Sequence, residues 1–278
     1  MVNLSEFKKN KDFLICVDSD GCAMDTMDIK HFNCFGPCMV AEWNLSKWND
    51  EILVRWNEIN LYSMTRGINR FAGLAKALDE INKKYCEIPY IDEFLSWTET
   101  AAELSNRAVE KMFKDTGCPI FSKALNWSNA VNKSINELDD SLKKPFDNVL
   151  EGLKMAHTVA DIAVVSSANR EAVVEEWQRF KLTDYVDCLC CQDSGTKALC
   201  IEKLKSLGYE NDHILMVGDA PGDMAAAKSN DVYFYPILVR HEKESWEELK
   251  TKGISKLTEL DYKEYGQVKE QEFIDNLK

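Results

Sequence analysis

Apolar positions follow two different rhythms along this chain. Residues 13–17, FLICV, form an unbroken apolar run with the length of a buried strand. From residue 145 onward, short apolar runs alternate with helical stripes. Residues 145–159 read as a helix with a proline in its first turn. Residues 162–165, IAVV, are a β-branched run. Residues 169–182 place Val173, Val174, Trp177 and Phe180 on one helical stripe. Residues 185–190 are a further strand candidate, and 196–207 a helix with Leu199, Ile201, Leu204 and Leu207 at its apolar positions. A strand over 213–217, a short helix over 221–229 and strand material over 232–239, broken by Pro236, complete the series. Such alternation predicts βαβ units with right-handed crossovers and a parallel sheet covered by helices on both faces, an α/β fold.

Residues 27–142 interrupt that series. Trp48, Ile52, Trp56 and Ile59 recur at helical spacing, as do Ile68, Phe71, Ala75, Leu78 and Ile81, and then Ala101, Leu104, Ala108 and Met112. The expected organisation is an α/β core made of residues 1–26 and 143–278, with a helical domain inserted over 27–142. Trp43, Trp48, Trp56, Trp97 and Trp127 fall in this insert, and aromatic residues at helical spacing are expected to be its core. No internal repeat or low-complexity linker is visible.

Charge narrows the range of partners. With 47 acidic and 34 basic residues the net charge is −13. Such a surface repels nucleic-acid backbones and anionic membranes, so neither is an expected partner. The first residues, MVNLSEFKKNKDF, hold no apolar stretch of secretory-signal type, and no apolar run approaches the ~20 residues that span a bilayer. Ten cysteines are then expected as free thiols in a reducing cytoplasm. Cys34 with Cys38, and Cys188 with Cys190 and Cys191, lack the paired C-x-x-C spacing of a zinc site and read as small buried hydrophobes.

The polar residues that follow each strand carry the chemistry. In an open parallel sheet, ligands bind beyond the carboxyl ends of the strands. Asp18 and Asp20 follow FLICV, and Ser166 and Ser167 follow IAVV. Lys197 lies in a GTK stretch at a helix start, and Asp219 and Asp223 follow HILMV. Residues i and i+2 of an extended chain share a side, about 6.5–7 Å apart, which puts Asp18 and Asp20 together. Four converging carboxylates cannot all stay ionised without a cation. Oxygen-only donors indicate Mg²⁺, held by Asp18, Asp20, Asp219 and Asp223, which also binds substrate phosphate. Asp18 is then suited to attack phosphorus and Asp20 to protonate the leaving oxygen and later activate water. Ser166, Ser167 and a helix start can hold phosphoryl oxygens, and Lys197 supplies positive charge. Each piece alone has a plainer explanation: a solvated turn, a strand-end cap, a surface lysine, a helix cap. Their ordered conjunction is what points to phosphoryl transfer.

That ordered set resembles the haloacid dehalogenase-like (HAD) superfamily. Asp18-Ser19-Asp20-Gly21-Cys22 is similar to its first motif, with Cys22 where threonine is usual, and Asp25-Thr26 to the common continuation. Ser166 matches the second motif, Lys197 the third, and Gly218-Asp219-Ala220-Pro221-Gly222-Asp223 the fourth. The resemblance implies a Rossmann-like core with a helical type-1 cap in the position of the insert. A second aspartate in the first motif implies Mg²⁺-dependent phosphoryl transfer rather than dehalogenation. Within the insert, Arg66-Gly67-Ile68-Asn69-Arg70 is similar to a substrate-reaching stretch of β-phosphoglucomutase-like caps, which makes Arg66 and Arg70 candidate substrate contacts; a helix-start turn with exposed arginines is the plainer alternative. The expected function is a cytoplasmic Mg²⁺-dependent phosphatase acting on a small phosphorylated metabolite. The alternatives are a sugar phosphomutase, in which a second hydroxyl replaces water, and a non-catalytic binding protein on the same fold.

Overall fold

Val2–Asn3 (β1) and Phe13–Val17 (β2) begin the chain as strands of one sheet, in a computed structural model that describes residues 1–278. Met24–Asp25 (β3) follows. The chain then enters a run of α-helices: Met27–Lys30 (α1), Gly36–Glu42 (α2), Asn49–Leu61 (α3), Arg70–Lys84 (α4), Ile91–Thr100 (α5), Asn106–Thr116 (α6) and Pro119–Asn136 (α7). It returns through Lys144–Pro145 (β4) and alternates through Val149–Val159 (α8), Ala160–Val165 (β5), Arg170–Arg179 (α9), Cys188–Cys190 (β6) and Lys197–Lys205 (α10). Ile214–Gly218 (β7), Pro221–Ser229 (α11) and Tyr233–Pro236 (β8) continue the alternation. Three helices, Glu242–Glu248 (α12), Ile254–Thr258 (α13) and Tyr262–Asn276 (α14), come last. Two compact units result: Met1–Met27 with Ser141–Lys278, and Asp28–Asp140.

The first unit is an α/β fold on a six-stranded parallel sheet of order β1-β6-β5-β2-β7-β8. Strand β2 is central, and the strand order reverses beside it, between the β5–β6 side and the β7–β8 side. That reversal opens a crevice at the carboxyl ends of β2 and β7. All six residues of β5 and all five of β7 are buried, as expected of strands covered on both faces. Register pairs Val17 with both Val164 and Val217. Asp18, Ser166 and Asp219 therefore leave the sheet along one edge. One charged group sits within β5 itself: Asp161 is buried, and its carboxylate accepts from the Asn10 and Lys11 backbone N–H groups and the Tyr209 hydroxyl. These bonds offset its desolvation and fasten the segment leading into β2.

Several elements differ from the sequence pattern. The helix expected from residue 145 begins only at Val149, because Lys144–Pro145 pairs antiparallel with Met24–Asp25 and Asn148 takes a left-handed conformation at φ 71°. Pro145 can sit on this two-residue ribbon because no ladder donor is asked of it. The strand expected over 185–190 shortens to β6, since Leu182–Tyr185 is a 3₁₀ turn. Strand β8 stops at Pro236, where the proline ends it. Strand β1, paired in parallel with β6, had no signal in a two-residue segment.

The second unit, Asp28–Asp140, is helical. Its core is aromatic: Trp56, Trp127, Phe71, Phe94 and Phe121 are almost fully buried. Trp127 stands edge-on to both Trp56 and Phe71, with ring centroids 6.0 and 6.1 Å apart, and its indole N–H donates to the Phe35 carbonyl at 3.1 Å. Trp43 and Trp97 are also buried, while Trp48 is half-buried against the cluster. The apolar stripes overran two helix starts. Ile68 is exposed because α4 begins at Arg70 behind an Asn69 cap, and Ala101 and Leu104 precede α6, which Ser105 caps. No helix of the protein is long and apolar enough to cross a membrane.

Candidate active site

The segment that carries Asp18 and Asp20 is a tight loop hung on the end of β2. The Asp18 N–H donates to the Val217 carbonyl, which continues the sheet register by one residue. The Ser19 carbonyl then accepts from the N–H groups of Cys22, Ala23 and Met24, and Gly21 turns the chain at φ 79°. Asp18 is buried and its Oδ1 accepts the Ser19 N–H at 2.7 Å. Asp20 lies two residues on, half-buried, and its Oδ1 accepts the Thr26 hydroxyl at 2.5 Å.

Lys197 is the first residue of α10, after a Thr196 cap. Its ammonium is 2.7 Å from Asp18 Oδ2 and 2.5 Å from Asp223 Oδ1. Asp223 is the third residue of α11, and its other oxygen accepts the Ala220 N–H at 3.1 Å. This fixes the carboxylate at the helix start while aiming its free edge at the lysine. Gly218 makes the arrangement possible: a Cβ there would lie 2.4 Å from Asp223 Cγ, so only glycine lets α11 approach β7 this closely. Asp219 is buried beside them.

Asp18, Asp219 and Asp223 each bring a carboxylate oxygen within 4.8 Å of the others, and all three are buried. Burial pushes the Asp18 carboxyl up to about 8; Lys197 opposes the shift, while Asp223 and Asp219 add to it. Burial would lower Lys197, but the charges of Asp18 and Asp223 outweigh it and hold the ammonium firmly protonated. Three carboxylates facing one ammonium leave excess negative charge in a desolvated place. The donors are hard oxygens only, a set that fits Mg²⁺. Asp20 stands outside this group of three, with its carboxylate turned to Thr26.

Ser166 is buried at the end of β5. Its N–H donates to the Cys190 carbonyl, and its hydroxyl accepts from the Ala168 N–H at 3.2 Å, which leaves the hydroxyl hydrogen to be donated. Ser167 is exposed in the loop ahead of α9, whose start Asn169 caps through Glu171 and Ala172. Arg66 and Arg70 lie in the helical unit and are engaged there. Arg66 is buried and donates to the Leu61 carbonyl at 2.8 Å. Arg70 donates to Ser128 Oγ at 3.0 Å and Asn132 Oδ1 at 2.7 Å, with its guanidinium over the Phe35 ring.

Thr26 and Trp177 bear on the site, although neither was among the candidate site residues. Trp177 stands on an apolar stripe, where an indole reads as packing, yet its N–H reaches Ser19 Oγ at 2.9 Å. Thr26 was visible only as part of the first motif's continuation.

The comparisons with known proteins agree with this architecture. A family model described as haloacid dehalogenase-like hydrolase matches residues 68–237. Among solved structures, a haloacid dehalogenase-like family hydrolase from Streptococcus pneumoniae superposes with a TM-score of 0.52 at 10% identity, covering 84% of this chain and 90% of that one. A candidate β-phosphoglucomutase from Thermotoga maritima gives 0.50 at 14%, covering 86% and 99%. A candidate phosphoglycolate phosphatase from Lactobacillus delbrueckii gives 0.50 at 15%, covering 81% and 85%. At these identities the likeness is one of fold. Among curated protein sequences none gives a significant match. The family match spans more than half of the chain and includes the lysine and the acidic pair that close on Asp18, and the chain belongs to the haloacid dehalogenase-like hydrolases.

Proposed function

We propose that this chain is a Mg²⁺-dependent phosphatase that hydrolyses a small phosphorylated metabolite through an aspartyl-phosphate on Asp18. The observation that carries the reading is the buried contact of Lys197 with Asp18 and Asp223, beside Asp219, at the carboxyl edge of the central strands. Asp18, Asp219 and Asp223 would hold Mg²⁺, which supplies the positive charge that lets an anionic carboxylate meet an anionic phosphoryl group.

In the first step an Asp18 oxygen forms a bond to phosphorus as the bond to the substrate oxygen breaks. Asp20 gives its proton to that leaving oxygen. In the second step Asp20 takes a proton from water, the water oxygen bonds to phosphorus, and the Asp18 carboxylate departs as it was. Lys197 keeps Asp18 in place and offsets charge in both steps. Ser166, with Ser167 beside it, donates to the phosphoryl oxygens. The cytoplasm suits an acidic protein whose ten cysteines are all free thiols.

A panel of phosphomonoesters with Mg²⁺, read by release of inorganic phosphate, tests the proposal. At least one small metabolite should be hydrolysed. Chelation should abolish the rate, and added Mg²⁺ should restore it. Asp18→Asn should remove nearly all turnover while the far-UV spectrum stays unchanged. Full activity in excess chelator, or more than about a tenth of the rate left in Asp18→Asn, would sink the mechanism. An isomerised sugar phosphate formed without phosphate release would point to a phosphomutase. Silence across the panel would favour a binding protein.

A further inference from the structure

We infer that Trp177 and Trp246 are positioning residues: through two indole N–H bonds, one to the Ser19 hydroxyl and one to the Cys22 carbonyl, they latch the nucleophile loop and so set the aim of Asp18 and Asp20. The inference rests on the reading of Asp18 as the attacking group and deepens it.

Ser19 lies between the two aspartates, in the turn that follows β2. It is fully buried, and so is Cys22 three residues on. The Ser19 hydroxyl accepts the Trp177 N–H at 2.9 Å, and the Cys22 carbonyl accepts the Trp246 N–H at 2.9 Å. Trp177 comes from α9 and Trp246 from α12, and each is about 1% exposed. The Cys22 thiol also lies 3.6 Å from the Val217 carbonyl. The loop is thus held at two points from beneath, by helices that lie about 70 residues apart in sequence, counted from their tryptophans at 177 and 246.

The geometry makes Ser19 the pivot. Its carbonyl takes three N–H groups of the turn, and its N–H goes to Asp18 Oδ1. Asp18 is held to the sheet through its N–H bond to the Val217 carbonyl, so a rotation about Ser19 would turn Asp20 relative to Asp18. Packing alone would need only aromatic bulk at 177 and 246. The indole N–H bonds add direction, and reactions that depend on alignment are sensitive to small displacements.

Trp177→Phe keeps the bulk and removes the donor, and Ser19→Ala removes the acceptor with a minimal change of volume. Each single variant leaves a buried polar group without its bond; the double variant leaves neither. The test uses the full chain with p-nitrophenyl phosphate and Mg²⁺. Both single variants should lose roughly tenfold or more in kcat, with little change in KM. The double variant should regain thermal stability, because no orphaned group is left, but it should not regain kcat. If kcat recovers together with stability, or never falls, the tryptophan is packing only and the inference is overturned. Asp18→Asn is the separate control. If it turns over as fast as the wild type, the reading of the site fails, and the Mg²⁺ affinity measured by calorimetry decides the latch alone. Weaker binding in both single variants supports the latch; unchanged binding overturns it.

Discussion

Lys197 is the residue on which the charges of the site balance. It is mostly buried, with two carboxylates at hydrogen-bond distance, so removing it leaves Asp18 and Asp223 facing each other across a desolvated gap. Lys197→Met should cost about 3–5 kcal/mol in chelated protein, the usual scale for breaking one side of a buried ion pair. Urea unfolding in chelator measures it, and a loss below about 1 kcal/mol would mean that the carboxylates do not depend on the lysine. The convergence of Asp18, Lys197 and Asp223 was legible in the sequence because each follows an apolar run or opens a helix. The contact between Trp177 and Ser19 was not. An indole on a helical stripe gives the same pattern whether its N–H is bonded to a distant loop or to water.

Elements hold these residues by close approach. Helix α11 can begin against β7 only because Gly218 has no side chain. Gly218→Ala should cost about 1–3 kcal/mol, as overpacking does, and should also displace Asp223 from Lys197. Loss of activity with a lowered unfolding midpoint would match this; an unchanged rate would show that Asp223 can shift freely. In the helical unit, Arg70 fastens the start of α4 to Ser128 and Asn132 of α7. Arg70→Ala should therefore lower stability by about 1–3 kcal/mol, the scale of hydrogen bonds to a charged group. If Arg70 also meets substrate, KM should rise for the native phosphate ester and much less for a small aryl phosphate. Equal KM values in the variant and the wild type would assign the arginine to fastening alone. Element existence was readable from the two hydrophobic rhythms, but several boundaries were not. Pro145 fits a first helical turn and a two-residue ribbon equally well, and the partner that decides between them, Met24–Asp25, is more than a hundred residues away. Nor did any local pattern announce α12 to α14, whose buried anchors Trp246, Tyr262 and Phe273 are widely spaced.

At the scale of the molecule, a chain of net charge −13 would bind the proposed anionic substrate against its own field. Lys197 gives the crevice local positive charge, and the proposed cation, held by the buried carboxylates of Asp18, Asp219 and Asp223, would add to it. The central claim is that phosphorus passes through a covalent bond to Asp18. It is tested most directly by slowing the second step. Asp20→Asn enzyme is mixed briefly with an activated aryl phosphate and Mg²⁺, quenched in acid and digested, and its peptides are weighed. The account predicts one added phosphoryl group on the peptide that contains Asp18, lost on treatment with hydroxylamine and absent from Asp18→Asn enzyme. A peptide that stays unmodified while Asp20→Asn releases the aryl alcohol and phosphate in step, or a phosphoryl group on any other residue, would contradict it.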